Sequence, residues 1–279
     1  MQVILRLIAL LPLRFMHALG TILGALMYGM SPTYRRHVRE NLRAARYDDA
    51  RVRRGAIAAA GQMIMELPAL WLRPNAEVAA LVTETRGVED AYAAQREGKA
   101  VLFLTPHMGS FEFAAQYAAS LMPITVLYRK PKVRWLEPVM RAGRGRPNVR
   151  LAAADRSGVK EILQAIKRRQ AVGLLPDQVP GVGEGEWSDF FGRPAYTMTL
   201  AAKLTERDNV ACYLAFAKRL PRGEGYSIVV RPLPPAKTGE STTRHINRAL
   251  EELVAQCPEQ YLWGYNRYKI PAGAPPPPE

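Results

Sequence analysis

Cysteine is almost missing from this 279-residue chain: only Cys212 and Cys257 occur. Two thiols exclude a disulfide framework, and the body reads as one suited to a reducing, cytoplasmic-facing setting. Histidine is scarce too, and the four histidines and two cysteines are too widely separated to give metal-ligand spacing. No metal or cofactor is implied. The G-x-S-x-G elbow of hydrolases is absent, since Ser110 sits in Gly-Ser-Phe-Glu. Gly181, Gly183 and Gly185 resemble a phosphate loop, but Glu184 and Glu186 would repel an anion and no helix with a Lys-Ser/Thr pair follows. Internal repeats are lacking. Acidic residues number 25 against 39 lysines and arginines, a net charge of +14, which points to an anionic partner. A membrane surface, an acidic carrier protein and a phosphorylated substrate fit. Nucleic acid does not, because the arginines are not interleaved with exposed-looking aromatics and no recognition motif occurs.

A clean membrane span is also missing. Phe15 to Tyr34 carry no formal charge, yet Gly20, Gly24, Gly29 and Pro32 shorten the helical core below the ~20 apolar residues a span needs. Arg6 and Arg14 interrupt the N-terminus, and no small-residue cleavage site follows, so it is a poor secretory signal. What is present is a stripe. At helical periodicity Ile4, Ile8, Leu11, Phe15, Leu19, Ile22 and Leu26 share one face while Arg6, Arg14 and His17 fall away from it. That pattern predicts a membrane-associating helix lying in the interface, with a shallow or tilted span as the alternative. Arg35, Arg36, Arg39, Arg43 and Arg46 would then face anionic headgroups. Three segments result: a membrane-associating stretch over 1–34, a main domain over 35–270, and a disordered Pro-rich tail over 271–279.

The 48% apolar content supports a sizeable core. Ala56 to Leu72 reads as a helix with Ile57, Met63, Ile64, Leu67 and Leu70 inward. After Pro74 the chain alternates. Strands are predicted at 100–104, 124–128, 149–152, 171–175, 210–217 and 226–231, and helices at 111–121, 133–141, 159–169, 197–207 and 242–255. Alternation of this kind predicts an α/β fold with a mixed, mostly parallel central sheet flanked by helices, the last two strands forming a hairpin.

The chain is organised around Gly98 to Phe113, GKAVLFLTPHMGSFEF. Val101 to Leu104 form a buried strand ended by Thr105-Pro106, so His107 stands just past a strand's carboxyl end, where open α/β sheets bind ligands. Ser110 is placed to cap a helix starting at Phe111. On one ideal helix His107 and Glu112 would point to different faces, but with His107 in the turn the two side chains can meet. A carboxylate beside an imidazole fixes its tautomer and stabilises the imidazolium, which equips the pair to deprotonate a hydroxyl. Pro176-Asp177-Gln178 also follows a strand end, on the same sheet edge if the strands are parallel. Asp177 could orient a catalytic group or an arginine, and Gln178 could bond a polar substrate. Arg129, Arg141, Arg144 and Arg146 could hold phosphate through their planar forks. Phe190 and Phe191, with Trp187, could wall an apolar slot for an acyl chain, or be plain core.

HMGSFE fits the H-x-x-x-x-D/E signature of the glycerolipid and lysophospholipid acyltransferase superfamily. Asn41-Leu42, VLYRKPK at Val126 to Lys132, LLPDQVPGVGEGEWSDFFGRPA at Leu174 to Ala195 and PEQYLWGYNRYK at Pro258 to Lys269 extend the match in order along nearly the whole chain. Together they resemble the late acyltransferases of bacterial lipid A biosynthesis, the lauroyl/myristoyl type. Ser110-Phe111 stands where relatives often carry Asn-Trp. The resemblance implies an enzyme at the cytoplasmic face of a bacterial inner membrane, moving an acyl chain from an acyl carrier protein thioester to a hydroxyl of a lipid A precursor. It implies His107 as general base with Glu112 orienting it, a functional Asp177, and one arginine in the Arg141 to Arg144 region, taken here as Arg144, as important for turnover. Alternatives are another lipid acceptor, such as a lysophospholipid or glycosylated phosphoinositide, and a non-catalytic basic membrane-binding protein.

Overall fold

The computed structural model describes residues 2–129, 131 and 136–277. Its N-terminal layer is helical: α1 (Gln2–Leu10), α2 (Leu13–Met30), α3 (Pro32–Ala44), α4 (Ala50–Leu72) and the short α5 (Asn75–Ala79). Pro12 separates α1 from α2, so the apolar stripe runs over two helices. Ser31 caps α3 by accepting from the Tyr34 N–H, and Asp49 caps α4 by accepting from the N–H groups of Arg51 and Val52.

Helices α2 and α4 cross with their backbones in contact. A Cβ on Gly61 would lie 1.9 Å from the Gly20 carbonyl, and one on Gly24 2.0 Å from that of Ile57. Small residues therefore form this seam, and α4 buries Ala56, Ala59, Ala60 and Gly61 while Ile64 is exposed, contrary to its expected inward place. By length and composition α4 is apolar enough to cross a membrane, but half of it is buried within the fold. The side of α2 away from α4 is apolar and open: Phe15, Leu19, Ile22, Leu26 and Met30 are all exposed.

The rest is the expected α/β body. In chain order come β1 (Val82–Arg86), α6 (Val88–Arg96), β2 (Ala100–Leu104), α7 (Phe111–Leu121), β3 (Ile124–Tyr128), α8 (Leu136–Arg144), β4 (Val149–Ala153), α9 (Arg156–Lys167) and β5 (Ala171–Leu174). Then follow β6 (Gly185–Phe190), β7 (Arg193–Met198), α10 (Thr199–Thr205), β8 (Val210–Arg219), β9 (Tyr226–Pro232) and α11 (Thr242–Val254). The central sheet has the order β1-β9-β8-β2-β5-β3-β4. Its pairings are parallel except for the β8–β9 hairpin, which matches the predicted mixed sheet. Strand β2 lies between β5 and β8 and is buried at every residue, as its unbroken apolar run requires. The expected helix start at Val133, and Lys130 and Lys132 of the VLYRKPK stretch, lie outside the described residues.

Two strand-bearing regions were not read from sequence. Strand β1 and helix α6 precede the first predicted strand, and β6 and β7 form a separate antiparallel hairpin. That hairpin turns on Phe191 and Gly192, both at positive φ, the conformation a two-residue turn demands. In the tail, Trp187 of β6 donates its indole N–H to the Pro275 carbonyl at 2.9 Å.

Candidate active site

Because β2 and β5 are parallel neighbours, their carboxyl ends bring His107 and Asp177 to one edge. The Thr105 N–H still bonds the Leu174 carbonyl, and Pro106 then ends the ladder. Asp177 holds His107 twice, with Oδ2 accepting the backbone N–H at 2.8 Å and Oδ1 2.7 Å from Nδ1. Burial alone would raise the pKa of this carboxyl, but the adjacent His107 outweighs it and the pKa falls below the usual value. An ionised Asp177 sets the tautomer with the proton on Nδ1, leaving Nε2 as the basic nitrogen.

Glu112 does not hold that position. It is buried in the first turn of α7 and receives a two-pronged ion pair from Arg144: Nε donates to Oε2 at 2.8 Å and Nη2 donates to Oε1. Trp71, at the end of α4, adds an indole N–H to Oε2 at 3.2 Å, and the Arg144 guanidinium lies over its ring. A Cβ on Gly143 would come within 2.3 Å of the Trp71 Cβ, so a glycine is required for α8 to lie this close to α4. Among the described residues His107 bonds Asp177 and not Glu112, a correction to the expected pairing. Both side chains nonetheless open on one cavity of about 300 Å³, with Arg129, Arg144 and Gln178 on its walls.

The turn from His107 to Ser110 is pinned at each residue. The Met108 N–H bonds the Pro106 carbonyl, Gly109 bonds Gln260, and Ser110 bonds Ala217, while the His107 carbonyl accepts from Leu262. Gly109 has φ +56°, and a Cβ there would meet the Ala217 carbonyl at 2.0 Å. Ser110 precedes α7 as expected, but its hydroxyl makes no cap; it donates to the Glu66 carboxylate at 2.6 Å. Asn41 fastens the C-terminal stretch from outside, donating to the carbonyls of Trp263 and Tyr265.

Other expected residues fall elsewhere. Arg141 is exposed and donates to the Tyr128 hydroxyl at 2.9 Å. Phe190 is fully buried in the core, and Phe191 packs edge-on against Tyr47, so neither walls the His107 cavity. The apolar space lies instead between α7 and the sheet, a cavity of about 50 Å³ walled in part by Phe103, Ala118, Met122 and Gly173. Among the described residues it carries no charged lining residue, and it shares Phe111, Ala115, Val126 and Leu175 with the His107 cavity. Burial pushes the Cys212 thiol up to about 11 and that of Cys257 to about 12, so neither offers a thiolate nucleophile.

Comparison with known proteins gives a consistent picture. A family model described as bacterial lipid A biosynthesis acyltransferase matches residues 1–270. The lipid A biosynthesis lauroyltransferase of Escherichia coli (strain K12) is 28% identical over 223 residues, 77% of this chain and 71% of the relative. The palmitoleoyltransferase of the same organism is 26% identical over 75% of this chain and 68% of its own length, and the myristoyltransferase 24% over 92% and 81%.

Proposed function

Given that the chain belongs to the bacterial lipid A biosynthesis acyltransferase family, we propose that it moves a fatty acyl chain from an acyl carrier protein thioester to a hydroxyl of a lipid A precursor. The observation that carries the mechanism is the pair of hydrogen bonds that His107 makes to the Asp177 carboxylate, in the wall of a cavity that adjoins an apolar one.

The acceptor hydroxyl gives its proton to His107 Nε2 as its oxygen attacks the thioester carbonyl carbon. A C–O bond forms and the carbonyl becomes an oxyanion. When the tetrahedral intermediate collapses the C–S bond breaks, and the imidazolium returns its proton to the departing thiolate. Asp177 stabilises that imidazolium and keeps the ring oriented. Oxyanion stabilisation requires donors fixed in advance. The N–H groups of His107, Met108, Gly109 and Ser110 are all engaged elsewhere. Among the described residues, donors could come from Arg129, on the cavity wall, or from the N–H groups in the first turn of α7. Single displacement is favoured because Ser110 is committed to Glu66 and both thiols are raised by burial.

Arg129 and Gln178 hold the polar part of the substrates, with Arg141 nearby at the exposed rim, and Glu112 keeps Arg144 fixed on the cavity wall. The apolar space beneath α7, about 50 Å³ in this structure and adjoining the His107 cavity, opens further to take the acyl chain. The exposed face of α2 lies in the lipid interface with the arginines of α3 toward anionic headgroups, at the cytoplasmic side of a bacterial inner membrane. Residues 1–34 serve as the membrane-associating segment of the acyltransferase domain over 35–270.

The test is a transfer assay in liposomes, with labelled acyl carrier protein and coenzyme A thioesters offered to lipid A precursors and lysophospholipids. Transfer from the carrier thioester to a lipid A precursor is expected. Transfer to lysophospholipid alone would move the assignment to another lipid acceptor.

A further inference from the structure

Glu66 is a buried carboxylate that the transfer chemistry does not use, and it is 1% exposed. Its Oε1 accepts from the Ser110 hydroxyl at 2.6 Å and from Arg219 Nη2 at 2.6 Å. Its Oε2 accepts from Arg219 Nε at 2.8 Å and the Tyr226 hydroxyl at 3.0 Å, and lies 3.2 Å from His17 Nε2. The donors come from α2, the turn before α7, β8 and β9, so one carboxylate joins four separate parts of the chain. Arg219 is enough to balance the charge, since it too is buried and forms a two-pronged pair with Glu66. The Ser110 bond must then be explained by what Ser110 belongs to.

Ser110 ends the turn that presents His107 and starts the helix that carries Glu112. It is wholly buried, and its hydroxyl turns away from its own helix to reach Glu66. We propose that Glu66 is a positioning residue for His107: through Ser110 it fixes the catalytic turn, and through His17 it ties that turn to α2, whose other face is the exposed apolar stripe. The role rests on the reading of His107 as the base. Loss of the Ser110 bond leaves the turn its backbone bonds but removes its side-chain anchor to Glu66, while the other anchors of Glu66 keep the fold, and a shift of about 1 Å in a reacting group can cost about 10²-fold in rate.

Two substitutions remove one hydroxyl each from the same carboxylate. Ser110→Ala removes the bond that anchors the turn, whereas Tyr226→Phe removes the strand's bond to the same carboxylate and leaves the Ser110–Glu66 bond in place. Both are measured in liposomes with carrier thioester and lipid A precursor, beside the native chain and His107→Ala, recording Tm, kcat and KM. Similar falls in Tm are expected for the two, with kcat of Ser110→Ala at least about tenfold below that of Tyr226→Phe and KM values changed by less than about threefold. Equal kcat values in the two folded variants would overturn the proposal, because a purely structural cluster predicts them. Full turnover by His107→Ala would instead remove the base assignment, and the positioning role with it.

Discussion

Asp177 meets His107 at both its backbone and its ring, at 2.8 and 2.7 Å, although the two residues are 70 positions apart in the chain. One carboxylate therefore fixes both the place of the residue and the tautomer of its ring. Asp177→Asn keeps the shape and loses the charge that stabilises an imidazolium. Its kcat is expected to fall by about 10³- to 10⁴-fold with little change in KM. Steady-state kinetics on the purified variant checks this, and a fall of less than tenfold would remove Asp177 from the machinery.

Arg144 and Glu112 form the second pair at the site, with Trp71 closing it. Arg144→Met leaves a nearly buried carboxylate with one remaining donor, and a destabilisation of about 3 kcal/mol is expected from denaturant unfolding. Arg144→Lys restores the charge but not the fork, so it should recover part of the stability and little of the turnover. Native-like kinetics for the lysine variant would show that the two-pronged geometry is unimportant.

Acid should act through Glu66. Burial opposes its ionisation, but Arg219 and then His17 bring its pKa down to about 2 from the usual 4.5. A carboxyl with a lowered folded pKa contributes stability that is full above about 4.5 and is lost as pH falls toward about 2. Asp177, also held low, adds in the same direction. Glu66→Gln should be less stable at neutral pH and lose less on acidification through that window. Parallel stability curves for the two proteins, measured by urea unfolding against pH, would contradict this.

The stripe on α2 is tested separately from the chemistry. Leu19→Glu with Ile22→Glu changes two exposed side chains, 44% and 57% accessible. Folding stability should move by less than about 0.5 kcal/mol for each substitution, while sedimentation with anionic vesicles should drop sharply. Undiminished vesicle binding at high salt would show that another surface makes the attachment.

Much of this was legible in the chain. The strand Ala100–Leu104 and the helix Phe111–Leu121 coincide with their predicted bounds because Pro106 and the Met108-Gly109 turn mark the break between them. The common edge of His107 and Asp177 followed from two strand ends. Which carboxylate takes the ring did not, because it depends on β5 lying beside β2, a strand order that periodicity does not encode. Glu112 was recognised as important but not its partners, since Trp71 and Arg144 reach it only through the packing of α4 and α8. Composition leaves Phe190 and Phe191 as either an acyl wall or plain core, and the β6–β7 hairpin decides it: Phe190 is buried and Phe191 packs against the core. Glu66 was overlooked, although a lone acidic residue within the apolar run Met63 to Leu72 signals a buried charge that needs partners.

The central claim is that His107, held by Asp177, takes the proton of the acceptor hydroxyl. The most direct measurement is acyl transfer from the carrier thioester to a lipid A precursor in liposomes, comparing the native chain with His107→Ala at matched folded and membrane-bound amounts. The account predicts transfer by the native chain and a loss of at least about 10³-fold in the variant, with vesicle binding and Tm retained. Turnover by His107→Ala within tenfold of native would contradict it.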